Sequence, residues 1–93
     1  MKIVYDEVKR KLNIEKHGFD FADLTLDFFS RATIVPVKQG RLMAIGIMRP
    51  GVIAVVFVTL GTQAISIVSQ RLASRKERLA HERSQAANPT ADG

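Results

Sequence analysis

Cysteine is absent from this 93-residue chain, which excludes a disulfide framework and a thiolate metal site. Its two histidines, His17 and His81, are too few to favour an all-protein zinc site, so no metal and no cofactor is expected. Tryptophan is also absent, and beyond Phe29 the only aromatic residue is Phe57. No strand can therefore carry the interleaved aromatics of an RNA-recognition sheet, and base stacking is excluded as the main mode of recognition. The sequence has no Gly-rich phosphate loop ahead of a helix, no His-Glu-x-x-His, no Gly-x-Ser-x-Gly and no EF-hand spacing. The N-terminus has no apolar segment of the secretory type. The longest apolar stretch, Leu42 to Leu60, is interrupted by Arg49-Pro50-Gly51. A charge at bilayer depth costs a few kcal/mol and Pro-Gly breaks a helix, so two strands and a turn are expected there, with no membrane partner and a cytoplasmic location.

The composition, 46% hydrophobic and 25% charged, is that of a folded domain. The length suits one domain, expected over residues 1–86, with a disordered tail over 87–93. Lys2-Ile3-Val4-Tyr5 reads as a first strand. Asp6 caps a helix whose apolar face is Val8 and Leu12 and whose end is marked by Lys16-His17-Gly18. Asp20 caps a second helix, with Phe21, Leu24 and Phe28 at i, i+3, i+7, ending at Ser30. Four strands follow, over 32–37, 42–48, 52–59 and 65–69. Pro36 places the first of these at an edge or a bulge. The Val/Ile/Phe run 52–59 is the interior strand, packed by Leu12, Phe21, Leu24 and Phe28. Ser74-Arg75-Lys76-Glu77 fits a capping box that opens a last helix to about Gln85. The expected class is α+β: two N-terminal helices and a C-terminal helix around a central antiparallel sheet.

The formal charge of +5 and the pI of about 10.1 point to an acidic partner, nucleic acid first. The charge is unevenly placed. Six acids lie within residues 1–27, and none lies between Asp27 and Glu77. That gap holds seven bases: Arg31, Lys38, Arg41, Arg49, Arg71, Arg75 and Lys76. One reading is a set of solvated turns and strand ends that block aggregation. The other is a phosphate-binding face, which the planar fork of arginine suits. Ser69-x-Arg71 falls at a strand end before a helix, a frequent ligand position. The last helix has a thin apolar stripe, so Leu79, with Leu72, is expected to complete its burial against a partner.

Ile3-Val4-Tyr5-Asp6, Lys9, Asn13, Lys16-His17-Gly18 and Phe21 resemble the opening of the BrnT toxins of bacterial type II toxin–antitoxin systems. Arg41 with Gly46, then Ile67-Val68-Ser69-x-Arg71-x-Ala73 and Glu77-Arg78, are similar to later segments of that family. The resemblance spans about residues 2–83. It departs where the family usually has Trp (Tyr5), Glu before the arginine (Gly40), Arg (Ser66) and Tyr (His81).

The resemblance implies a RelE-like fold, metal-free RNA cleavage that inhibits translation and growth, and neutralisation by a ribbon-helix-helix, BrnA-like antitoxin. The implied assembly is a toxin–antitoxin hetero-oligomer that meets operator DNA only through the antitoxin. Such cleavage requires a base for the 2′-hydroxyl, cations for the charge on the phosphorane, and an acid for the leaving oxygen. Arg41 and Arg71 are the expected phosphate clamp, on one face with Lys16, and His17 or His81 the acid/base group. Lys16, Lys38, Ser69, Arg75 and Lys76 are the expected RNA contacts. Two other readings stay open: a binding module of the same fold without catalysis, and an unrelated small basic RNA-binding protein.

Overall fold

Asp6 begins the first helix as its sequence dictates: the carboxylate accepts the Lys9 backbone N–H at 3.1 Å. The computed structural model describes residues 1–87, and in it β1 (Lys2–Val4) leads into α1 (Glu7–His17). Gly18 ends α1 at φ 76°, and its N–H donates to the Ile14 carbonyl at 2.8 Å. A single turn of 3-10 helix (Phe21–Asp23) and the short α2 (Leu26–Arg31) follow. Then come β2 (Thr33–Pro36), β3 (Leu42–Met48), β4 (Gly51–Leu60), β5 (Ala64–Leu72) and α3 (Arg75–Ala87). The class is mixed α+β, with one five-stranded sheet in the order β1-β5-β4-β3-β2.

The Val/Ile/Phe run forms β4, third of the five strands, so the most apolar segment is central. On one face of the sheet Phe21, Leu24 and Phe28 bury Ala44, Ile53, Val55, Phe57, Ile65 and Ile67. The opposite face carries a smaller cluster, Met43, Ile45 and Ala54, bordered by Val35, Val37, Val52, Val56 and Ala73. Helix α3 crosses this second face over β3 and β2.

A bulge in β5 decides which face the strand's last residues occupy. Val56 pairs with Ser69 but Phe57 pairs with Ile67, so Val68 is an extra residue. Ile65 and Ile67 lie on the large-core face. Beyond the bulge, Ser69 and Arg71 lie opposite Val56 and Ala54, on the α3 face.

The structure departs from the sequence expectations in five places. The sheet is mixed, because β1 pairs parallel to β5. The second helix is two pieces, since Leu24 turns extended (φ −75°, ψ 140°) and Thr25 caps α2 afresh through the Phe28 N–H. Leu12 does not pack β4: it is 57% exposed and Val8 is 65% exposed, because α1 meets the sheet through Asn13. β5 runs on to Leu72, and α3 runs on to Ala87, one residue into the expected tail. The rest of that tail lies outside the described residues. Among the described residues no helix is long and apolar enough to cross a membrane.

Candidate functional site

Asn13 fixes α1 against the end of β5. β1 covers only Ala64 to Ser66 of that strand, which leaves the outward-facing backbone of Gln70 without a strand partner. The Asn13 side chain fills the place: its oxygen accepts the Gln70 N–H at 3.0 Å and its amide donates to the Gln70 carbonyl at 2.9 Å. The same amide donates to the Phe19 carbonyl at 3.0 Å. Lys16 and His17 follow Asn13 by about one helical turn, roughly 5 to 6 Å along the axis. Asn13 thereby holds α1 against β5 at Gln70, the residue before Arg71.

Arg71 meets Glu77 of α3 in a bidentate pair, with Nη1 at 2.7 Å from Oε1 and Nη2 at 2.9 Å from Oε2. Nη1 also donates to the Leu72 carbonyl at 3.1 Å. The capping box forms as well: Ser74 N–H donates to Glu77 Oε1 at 2.8 Å, and Glu77 N–H donates to Ser74 Oγ at 3.2 Å. Glu77 thus joins the helix start to the arginine. The Arg71 hydrogen bonds hold the Glu77 carboxyl at about 2, well below its ordinary 4.5, against the opposing effect of burial. The Arg71 pKa is raised in turn by its hydrogen bonds to Glu77. Glu77 uses the outer edge of the guanidinium; Nε–H and one Nη2–H have no partner among the described residues.

The two imidazoles have different surroundings. His17 is exposed. His81 is 5% exposed under α3, with Nδ1 at 2.8 Å from the Thr33 hydroxyl.

Arg41 and Arg71 share a face of the sheet and occupy opposite corners of it. Ile45 and Ala54 stand in one row with Arg71, and Arg41 precedes Ile45 by four residues. The two backbones are separated by roughly 13 Å along the strands and about 10 Å across them. Arg41 instead borders a shallow depression of about 370 Å³ with Val37, Lys38, Gln39, Met43 and Val56. Ser69 lies between the corners, opposite Val56, and Arg75 and Lys76 are exposed on the first turn of α3.

A family model described as the ribonuclease toxin, BrnT, of type II toxin–antitoxin systems matches residues 5–77. The chain belongs to that family. A crystal structure at 1.1 Å resolution of the Brucella abortus ribonuclease toxin BrnT is 51% identical in sequence, with a TM-score of 0.76, over 81% of this chain and 99% of that one. No curated protein matches the chain. The matched segment of the BrnT model contains Asn13, Lys16, His17, Arg41, Ser69, Arg71 and Glu77, while His81 lies beyond it.

Sequence reasoning missed two residues of this arrangement. Glu77 was legible as a cap, and its pairing with Arg71 shows only in three dimensions. Asn13 matched a family motif, but its strand-like role depends on how short β1 is.

Proposed function

We propose that this BrnT-family chain cleaves RNA through its own side chains, without a metal, at the C-terminal end of β5. The observation that carries the reading is the oriented Arg71: Glu77 occupies one edge of the guanidinium, and the Nε/Nη2 edge is left to grip a phosphate. Lys16 supplies a second cation from the last turn of α1, and Arg75 and Lys76 extend the basic surface toward flanking RNA. In this reading the working side chains are cations and an imidazole, and Glu77 is committed to Arg71, a set suited to phosphate charge.

In this mechanism the substrate's 2′-oxygen attacks the adjacent phosphorus as its proton passes to a base. Negative charge grows on the non-bridging oxygens, where Arg71 and Lys16 stabilise it. The bond to the 5′-oxygen breaks as that oxygen takes up a proton, leaving a 2′,3′-cyclic phosphate and a 5′-hydroxyl. His17 is the proton-transfer group, because it is exposed on the last turn of α1, whereas His81 is buried and bonded to Thr33.

The fold is RelE-like in this reading, the location is the cytoplasm, and the partner is a ribbon-helix-helix antitoxin that covers the basic corner. Leu72 and Leu79, 64% and 39% exposed, offer that partner apolar contacts.

The test is cleavage of a synthetic RNA by the purified chain, with product ends analysed, in the presence of EDTA. Cyclic phosphate ends and loss of at least ~10²-fold in rate for Arg71→Ala, at unchanged circular dichroism, support the mechanism. Cleavage that disappears with EDTA overturns it.

A further inference from the structure

The depression at the β2–β3 turn lies on the α3 face and is not used by the mechanism. Its floor is apolar, made by Val37, Met43 and Val56, and its rim carries Lys38 and Arg41. Among the described residues neither cation has a carboxylate within ion-pair distance; the ion pairs found are Arg10 with Glu7 and Asp20, Arg31 with Asp27, and Arg71 with Glu77. The turn that presents them is tightly set. Val37 N–H donates to the Arg41 carbonyl at 3.0 Å, and Gln39 sits at φ 63°, a left-handed conformation that a non-glycine residue seldom adopts.

The corner is also too distant to serve the phosphate at Arg71. The two backbones are roughly 16 Å apart, from the strand spacing and rise. The Arg71 guanidinium is drawn further away, toward Leu72 and Glu77 at the end of its strand. Two cations placed in this way meet different phosphates of an extended single strand. Between them, on the same face of the sheet, lie the half-buried Val56 and Ser69.

We infer that this depression is a nucleotide subsite for single-stranded RNA, more than one nucleotide from the bond cleaved. The ligand is one nucleotide of the bound strand, its base on the Val37–Met43–Val56 floor and its phosphate on Arg41 and Lys38. The inference rests on the ribonuclease reading for its register relative to Arg71, and it deepens that reading by making the enzyme dependent on substrate length. Arg41 then acts on a flanking phosphate, not on the reacting one.

The experiment reads binding separately from cleavage. A 2′-O-methyl hexanucleotide, which lacks the attacking hydroxyl, is titrated against the purified full chain and followed by fluorescence anisotropy across a salt series. A 2′-O-methyl dinucleotide is the short control. The combined variant Lys38→Ala/Arg41→Ala is expected to lose about tenfold or more in hexanucleotide affinity. The slope of log K against log salt should fall by about 0.7 for each phosphate contact removed. Dinucleotide affinity should change less than twofold. Arg41→Lys should restore most of the salt slope. Equal losses for the two oligonucleotides would place Arg41 at the cleaved phosphate and overturn the subsite, as would an unchanged hexanucleotide affinity. A wild-type chain that binds the hexanucleotide through Lys38 and Arg41 yet cleaves no RNA would sink the catalytic reading alone.

Discussion

Asn13 pairs with the backbone of Gln70 as a neighbouring strand would, accepting its N–H at 3.0 Å and donating to its carbonyl at 2.9 Å. One side chain thus replaces the strand that β1 is too short to supply, and it anchors the helix that carries Lys16 and His17.

Replacing Asn13 removes partners from two buried backbone groups of Gln70 and from the Phe19 carbonyl. Each unsatisfied group costs about 1–3 kcal/mol, so Asn13→Ala should lower stability by roughly 2–4 kcal/mol, read as a fall in the urea midpoint. Leu12→Ala on the exposed side of α1 should change it by about 0.5 kcal/mol or less. Equal effects from the two variants would contradict the strand-mimic role.

The Gln70 side chain behaves oppositely to its backbone. It is fully buried, its Oε1 has no hydrogen-bond partner among the described residues, and its amide reaches only the Met48 sulfur, at 3.6 Å. Gln70→Met keeps the backbone bonds and removes the unpaired oxygen. Its melting temperature should be equal to or above that of the parent, and a fall of more than about 5 °C, about 1 kcal/mol for a domain of this size, would count against this view.

The Glu77 pKa ties stability to acid pH. The folded value is about 2 against an ordinary 4.5, so the folded chain binds fewer protons than the unfolded chain between those values. Stability from this pair is fully present above about 4.5 and is lost as pH falls toward 2. Asp20, lowered to about 2 from 3.8 by hydrogen bonds from Arg10, adds the same sign as a smaller, solvent-screened contribution. Thermal melts between pH 6 and pH 2 should show a steeper fall for the parent chain than for Glu77→Gln. Identical slopes would mean that the pair does not contribute.

Gly46 shows why a small residue follows Arg41 at that spacing. A Cβ there would stand 2.8 Å from Phe28 Cε1 and 3.4 Å from the Ala32 Cβ. Phe28 is itself buried and in edge contact with Phe29 at 5.3 Å between centroids, so it has little freedom to retreat. Gly46→Ala should cost about 1–3 kcal/mol by overpacking, measured by chemical denaturation.

The histidines should separate by assay. His81→Ala leaves the Thr33 hydroxyl without its partner and a void under α3, and should lower stability by about 1–3 kcal/mol. His17→Ala removes only an exposed helix-end contact, worth about 0.3–1 kcal/mol, and should abolish most of the RNA cleavage. Full cleavage by the His17 variant would reassign the proton-transfer group.

Local chemistry made much of this protein legible in its sequence. Asp6, Gly18 and Ser74 with Glu77 fixed the start of α1, its end and the start of α3, because caps are satisfied within a few residues. The Val/Ile/Phe run identified the central strand, because an uninterrupted apolar segment must be covered on both faces. The short motifs around Lys16-His17-Gly18 and Ser69-x-Arg71 were sufficient to point to the family.

What the sequence alone could not decide depends on pairs of residues far apart in the chain. Strict alternation along β5 places Arg71 on the side of Ile65 and Ile67, in the large core. The bulge at Val68 turns it to the face crossed by α3, where Glu77 receives it. That extra residue has no local signature: it is set by how β4 and β5 register against each other once both faces are packed. The same long-range packing parts Arg41 from Arg71 and joins α1 to β5 through Asn13. The sequence therefore supplied the caps, the central strand and the family motifs, and the register of two strands decided that Arg71 faces α3 and pairs with Glu77.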